Sequence, residues 1–374
     1  MIPISRPSIG EEELSKVAEV FKTGWLGMGA VTFEFEEKIK TFLGSKNVVA
    51  TNTGTSAIHL ALDAHALKKG DEVIVPSITY AASIQAILAT DASPVFCESK
   101  ENDLSIDVQD VKSRITDKTK AIMPVHYCGQ SCDMDELLDI ADSNNIIIVE
   151  DAAHAFGSKY KQKYIGSFGH ATCFSFDPIK MISCGEGGAV ATQDEKLAEL
   201  MKKKRILGID KDTWHRYHNK RSWSYDVTTR GYRYHMSNFC AAIGLAQFEK
   251  LDSFISRRKE ICKKYDKHFK QLIHVKPLEI NYNQTAPFIY ILKVKDQNRQ
   301  NFIDYLKKRG IDTGIHYLPN HIHSYFDQFV RGNLPIAEKL GKEIVTIPLF
   351  VDMIEKEIQI VIDTVKSFDG TVTL

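Results

Sequence analysis

The chain has 374 residues, 43% of them hydrophobic and 26% charged, which suits a soluble globular protein large enough for two cores. Lys+Arg and Asp+Glu each total 48, so no net field recruits nucleic acid or an anionic membrane surface. Seven scattered cysteines fit a reducing compartment better than a disulfide framework. No apolar run is long enough to span a bilayer and no basic-then-apolar leader follows Met1, so the expected location is cytoplasmic.

Short β-rich runs alternate with helical patterns over the first two thirds. Residues 55–67 read as a helix, with Ala57, Leu60, Ala61 and Ala64 on one face and Gly70 as the stop. A buried strand follows at 72–76, then a helix at 81–89 and strands at 94–97 and 121–125. Asp133 caps a helix over 134–141, and a strand at 146–150 runs back into the sheet. The alternation implies an α/β fold with a mostly parallel sheet covered on both faces. Ligands in such sheets bind beyond the carboxyl ends of the strands. Tyr80, His126 and Asp151 follow such ends, so all three are expected at one crevice. The pattern changes after Gln247. One long bridging helix is predicted over 245–272, then a strand at 288–294, a helix at 298–309 and a strand at 315–318. The expected division is a large domain over 1–247 and a smaller C-terminal α/β domain over 248–374.

Cys128 and Cys132 lack a second ligand pair, and His316, His321 and His323 lack a cysteine or carboxylate quartet, so no metal is expected. Asn52-Thr53-Gly54-Thr55-Ser56 combines a glycine, hydroxyls and a helix start, the materials of a phosphate site as well as of a plain helix cap. Lys180 lies in Phe174-Ser175-Phe176-Asp177-Pro178-Ile179-Lys180, followed by Gly185-Glu186-Gly187-Gly188. Asp151 ends an apolar strand in Glu150-Asp151-Ala152-Ala153-His154. Each feature has a bland reading: a surface lysine, a turn, a cap, a core tyrosine. Together and in order they point to pyridoxal 5′-phosphate. The lysine would bind its carbonyl covalently and the carboxylate would keep its ring nitrogen protonated.

These segments, with Gly24-Trp25, Phe35-Glu36, Pro76-Ser77-Ile78-Thr79-Tyr80, residues 231–247 and His316-Tyr317-Leu318-Pro319, make the chain resemble the DegT/DnrJ/StrS-type nucleotide-sugar aminotransferases. The resemblance runs nearly end to end and implies the aspartate-aminotransferase-like fold type I. By position it implies that Lys180 is the carbonyl-binding lysine and Asp151 the ring-nitrogen partner. Tyr80 would be the stacking aromatic, Thr55, Ser56 and Ser175 phosphate ligands, and His154 a neighbour of the ring hydroxyl. Gly231-Tyr232-Arg233-Tyr234-His235 stands where the family often reads Gly-Tyr-Asn-Tyr-Arg, whose asparagine reaches the neighbouring subunit's cofactor. Arg233 could bind that phosphate or the substrate, and His235 and His316 are substrate-side candidates. The implied activity is transfer of an amino group from L-glutamate to a nucleotide-linked keto-sugar, in a homodimer with shared sites. A 4-keto-6-deoxyhexose is the expected substrate, for amino-sugar and surface-polysaccharide (lipopolysaccharide or O-antigen) biosynthesis. The segment 208–236 looks most like relatives acting on 6-deoxy sugars. Amination of a 3-keto sugar, and a homologue that binds without turnover, stay open. A dehydratase of this fold would replace the lysine by histidine.

Overall fold

The computed structural model describes residues 1–210, 225–295 and 298–370. A seven-stranded sheet organises the first two thirds. Its strands are β1 (Asn47–Thr51), β2 (Glu72–Pro76), β3 (Ser93–Cys97), β4 (Thr119–Ile122), β5 (Ile147–Asp151), β8 (Ala171–Ser175) and β9 (Gly188–Thr192). They lie in the order β1-β9-β8-β5-β4-β2-β3. The short hairpin β6 (Lys159–Tyr160) and β7 (Lys163–Tyr164) stands apart. Only β9 runs against the others, because it is antiparallel to both β1 and β8. The predicted mostly parallel α/β sheet is therefore present.

Strand alternation makes the two cores. Ile74 and Ile148 enter the cluster that holds Phe35, Ile39 and Phe174, while Val73, Val75 and Val149 enter one with Leu60, Ala61 and Leu62. Successive side chains face opposite sides of a strand, so sheets covered on both faces carry near-continuous apolar runs. The covering helices include α1 (Glu11–Thr23), α2 (Ala30–Leu43), α3 (Gly54–Ala64) and α4 (Ala81–Leu88). After them come α5 (Val108–Arg114), α6 (Met134–Asn144) and α7 (Glu195–Lys204).

The long helix expected over 245–272 is two helices. The first, α8 (Asn238–Glu249), starts earlier at a Ser237 cap; the second, α9 (Leu251–Phe269), follows the junction at Lys250. Lys250 reaches Glu12 and Glu13 of α1, a tertiary tie that periodicity does not register. A second sheet, β10 (Val275–Pro277), β11 (Tyr290–Val294) and β12 (Ile344–Ile347), is antiparallel throughout. With α9, α10 (Arg299–Lys308) and α12 (Glu355–Lys366) it encloses a third core that also takes in Ile2. A further helix, α11 (Pro335–Glu343), precedes β12. The strand expected at 315–318 is absent. Gly314 makes one bridge to Thr346 and the chain then leaves the sheet toward the cleft. The strand expected to end at 125 stops at Ile122, and Val125 keeps a lone bridge to Asp151.

One ion pair is enclosed between layers. Arg205, 1% exposed, pairs with Glu36 of α2 and donates to the Ala50 carbonyl at 2.9 Å. Glu36 in turn accepts the Ala50 N–H at 2.7 Å. Removing one partner strands the other charge away from water. Arg205→Met should therefore lower unfolding free energy by about 3–5 kcal/mol, and the double variant Glu36→Leu/Arg205→Met by less. Urea denaturation of both variants checks this; equal losses would show that stranding is not the cost.

Candidate active site

The carboxyl ends of the parallel strands open into a cleft of about 400 Å³. Its wall includes Thr53, Gly54, Thr55, Tyr80, Asp151, His154, Ser175, Lys180, His316 and Tyr317. Of the residues expected at the site, Thr55, Tyr80, Asp151, His154, Ser175, Lys180 and His316 are thus gathered in one place.

At one end the cleft meets the start of α3. Thr53 caps this helix: its side chain accepts the Ser56 N–H at 3.0 Å, and Ser56 Oγ accepts the Thr53 N–H at 3.1 Å. The first N–H groups of a helix have no intrahelical acceptor, so they and the Thr55 and Ser175 hydroxyls can serve an anion here. Gly54 lets the helix start press on β8, since a Cβ there would lie 2.7 Å from Ser175 Cβ. Ser56 does not line the cleft. Its hydroxyl is turned into the cap, 2.7 Å from Asn52 Oδ1, so the cap takes up the group assigned to phosphate.

Asp151 ends β5 and is 5% exposed. Its Oδ2 accepts the Ser83 hydroxyl at 2.6 Å and its Oδ1 the Ala153 N–H at 3.1 Å. Lys180 stands on the turn between β8 and β9, fixed by the Ile179 N–H to Asp177 Oδ1 and the Lys180 N–H to the Asp177 carbonyl. Its Nζ lies 4.4 Å from the centre of the Phe288 ring. Burial holds the amine below the usual lysine range, against the opposing pull of Asp177 and Asp151. Burial, then the Lys180 charge, also pushes His154 well below the ordinary histidine value, and the same two causes bring His316 down to about 4. Both rings are therefore neutral near pH 7. His154 Nε2 pairs with the Tyr317 hydroxyl at 3.1 Å, while its Nδ1 is buried with no partner among the described residues. Such a group is suited to meet a polar edge of a bound ring. A helix start for a phosphate, an amine, a carboxylate and this nitrogen fit pyridoxal phosphate in chemical type.

One further expectation is corrected. His126 does not face the crevice. It is fully enclosed, with Nε2 2.8 Å from Glu150 Oε2 and the Cys132 N–H donating to Nδ1 at 3.1 Å. Glu150 favours a charged ring, but the donor on Nδ1 leaves no place for a second proton, so His126 is the neutral Nε2–H form. Arg233 and His235 line a different hollow of about 520 Å³, with Gly24, Trp25 and Met28. Of the 208–236 segment, residues 211–224 lie outside the described residues. Sequence reading also passed over Tyr317, Ser83 and Asp177. Tyr317 and Asp177 had a signal, inside His316-Tyr317-Leu318-Pro319 and the segment leading to Lys180, and Ser83 had none.

Below pH 6.5 an unfolded chain binds protons at His154 and His316 that the folded chain refuses, His316 until about pH 4. Their contribution is therefore complete above that range and lost as pH falls. Urea midpoints of the unliganded protein should drop between pH 7 and pH 5, and His316→Asn should narrow the drop. An unchanged drop in that variant would remove His316 from the account.

A family model described as the DegT/DnrJ/EryC1/StrS aminotransferase family matches residues 7–366. The spore coat polysaccharide biosynthesis protein SpsC of Bacillus subtilis is 37% identical over 98% of this chain and 96% of its own. GDP-perosamine synthase of Escherichia coli O157:H7 is 36% identical over 98% of each chain. Spr1654 of Streptococcus pneumoniae, solved in PMP and PLP forms, superposes with TM-scores of 0.92 and 0.91 at 30% and 29% identity over 98% of both chains. Backbone and sequence agree from end to end: this chain has the fold type I architecture and belongs to the DegT/DnrJ/EryC1/StrS aminotransferase family.

Proposed function

We propose that this aminotransferase moves an amino group from L-glutamate to a nucleotide-linked 4-keto-6-deoxyhexose. Its product would be a 4-amino-4,6-dideoxy sugar for surface polysaccharide, made in the cytoplasm. The cofactor is pyridoxal 5′-phosphate. The observation that carries the reading is the desolvated Lys180 amine on the wall that also holds the Asp151 carboxylate. The relatives' names support the sugar and polysaccharide part, since one is a GDP-perosamine synthase and another a spore coat polysaccharide protein.

Bound in this cleft, pyridoxal phosphate supplies a carbonyl for amines and a protonated ring that accepts the electron pair left when a C–H bond breaks. The start of α3, Thr55 and Ser175 hold the phosphate, and Tyr80 offers its ring as a platform. Asp151 keeps the ring nitrogen protonated. Lys180 takes a proton from Cα of glutamate and, in the second half, delivers one to the sugar carbon that gains nitrogen. A protonated lysine could not begin this sequence, which is what its desolvation provides.

Purified protein with glutamate should aminate 4-keto-6-deoxy sugar nucleotides in a panel of 3-keto and 4-keto compounds read by mass spectrometry. Lys180→Ala should abolish turnover. Amination confined to 3-keto sugars would move the substrate assignment and leave the aminotransferase standing. Normal turnover by Lys180→Ala would end the reading.

The same reading includes a homodimer with shared sites. The described lining of the cleft holds Asp151, Asp177 and Glu186 against one lysine, with both histidines neutral. Glutamate and a sugar diphosphate are anionic, and the exposed Arg233 of a second copy would balance them. Mixing inactive Lys180→Ala with inactive Arg233→Ala should restore activity, because one site of a mixed dimer keeps both residues. No recovery, or a fully active monomer on sedimentation, would rule out shared sites.

A further inference from the structure

Behind Asp151 runs a chain of hydroxyls that the aminotransferase reading does not require. Ser83, fully buried in the first turn of α4, donates its one proton to Asp151 Oδ2 at 2.6 Å. Its oxygen lies 2.9 Å from Thr79 Oγ1. Because the Ser83 proton is committed to the carboxylate, Thr79 must be the donor of that second bond. Thr79 is 2% exposed, and its carbonyl accepts the Asn320 side-chain amide at 2.7 Å. Asn320 also holds the Ser77 carbonyl at 3.0 Å. It ends the loop that carries His316 and Tyr317 along the cleft. The Tyr80 platform is the N-cap of the helix that contains Ser83.

We propose that Ser83 is the positioning residue of the Asp151 carboxylate, with Thr79 fixing the direction in which Ser83 donates. This rests on the reading of Asp151 as the ring-nitrogen partner. A carboxylate at a strand end can rotate about its terminal bond. One strong donor on Oδ2 and the Ala153 N–H on Oδ1 leave a single orientation in which both are satisfied. So held, Asp151 stays on the wall of the cleft. Losing the Ser83 donor frees that rotation and removes one charge-assisted bond from the group that must hold the ring nitrogen protonated. The substrate-side loop and the ring partner also share one anchor, the turn at Ser77–Thr79.

The test uses full-length dimer loaded with pyridoxal phosphate: wild type, Ser83→Ala, Ser83→Thr and Thr79→Val. Four quantities are measured: absorbance against pH for the bound cofactor, kcat, glutamate KM, and melting of the unliganded protein. Ser83→Ala should fold and lower the melting of the unliganded protein by only a few degrees, shift the absorbance profile, and lower kcat about ten- to hundredfold, the worth of a hydrogen bond to a charged group. Its glutamate KM should stay within about twofold, because the bond acts on the reacting state rather than on donor binding. Ser83→Thr, which keeps the hydroxyl, should recover most of the loss. A wild-type profile and kcat in Ser83→Ala overturns the proposal, as does equal damage in Ser83→Ala and Ser83→Thr with lowered melting in both. If Ser83→Ala does not fold, Thr79→Val decides: a shifted profile supports the relay and an unshifted one overturns it. Wild type that takes up no pyridoxal phosphate would instead sink the function on which the relay depends.

Discussion

A carboxylate enclosed at the end of a strand must find donors from its own chain, and the cleft is arranged around that need at Asp151. β5 brings the group to the sheet edge, where the Ala153 N–H and the Ser83 hydroxyl meet it. Both come from segments that begin where a strand ends, so the parallel architecture itself supplies them. The same edge presents the start of α3 and the lysine turn, because β1 and β8 run in the same direction as β5. A fold with alternating strand directions would have scattered these groups over two edges.

Low polarity in the cleft then acts in one direction on every base. It lowers Lys180, His154 and His316 together, although the three sit on different elements. The amine is closer to the form that can accept a proton, and the imidazoles are left as hydrogen-bonding groups rather than charges. The Tyr317 phenol, pushed up by burial and then by Asp151, likewise stays protonated opposite His154. Fixed dipoles surround a small set of charges, a setting in which each charge counts for more than it would in water.

Much of this was legible in the residues. The apolar runs of β2 and β5 marked their strands within a residue or so, because strands buried on both faces carry little else. Lys180, Asp151, Thr55 and Tyr80 could be picked out because each lies at a strand end, on a turn or at a helix start, whereas Ser175 and His154 came only from the family resemblance. What failed shares a physical cause. His126 also follows a strand end, yet the chain turns its ring inward to Glu150, and direction is not written in position. Ser56 has the right chemistry but is claimed by its own helix cap. The junction at Lys250 depends on Glu12 and Glu13, more than 230 residues away in sequence. Ser83 looked like any small helical residue, since its role exists only once β5 is packed beside α4. The expected strand at 315–318 has suitable residues, but after the single Gly314–Thr346 bridge to the edge strand β12 the chain turns away to the cleft.

The reversed strand β9 has a further consequence, for the order in which the molecule assembles. β8 and β9 are joined by the turn that bears Lys180, so this hairpin closes a short loop and costs little chain entropy. Thr53, whose carbonyl would lie 2.3 Å from a Cβ at Gly188, arrives from well over a hundred residues upstream. Contacts of that separation are slow to form, because the entropy of closing them is lost before they give anything back. The lysine is thus presented by a local element, whereas the helix start beside it is seated only after a closure across more than a hundred residues is complete. A chain leaving the ribosome would carry its reactive amine early and gain the means to retain a phosphate late. Capture of the cofactor then reports that the large sheet has finished folding.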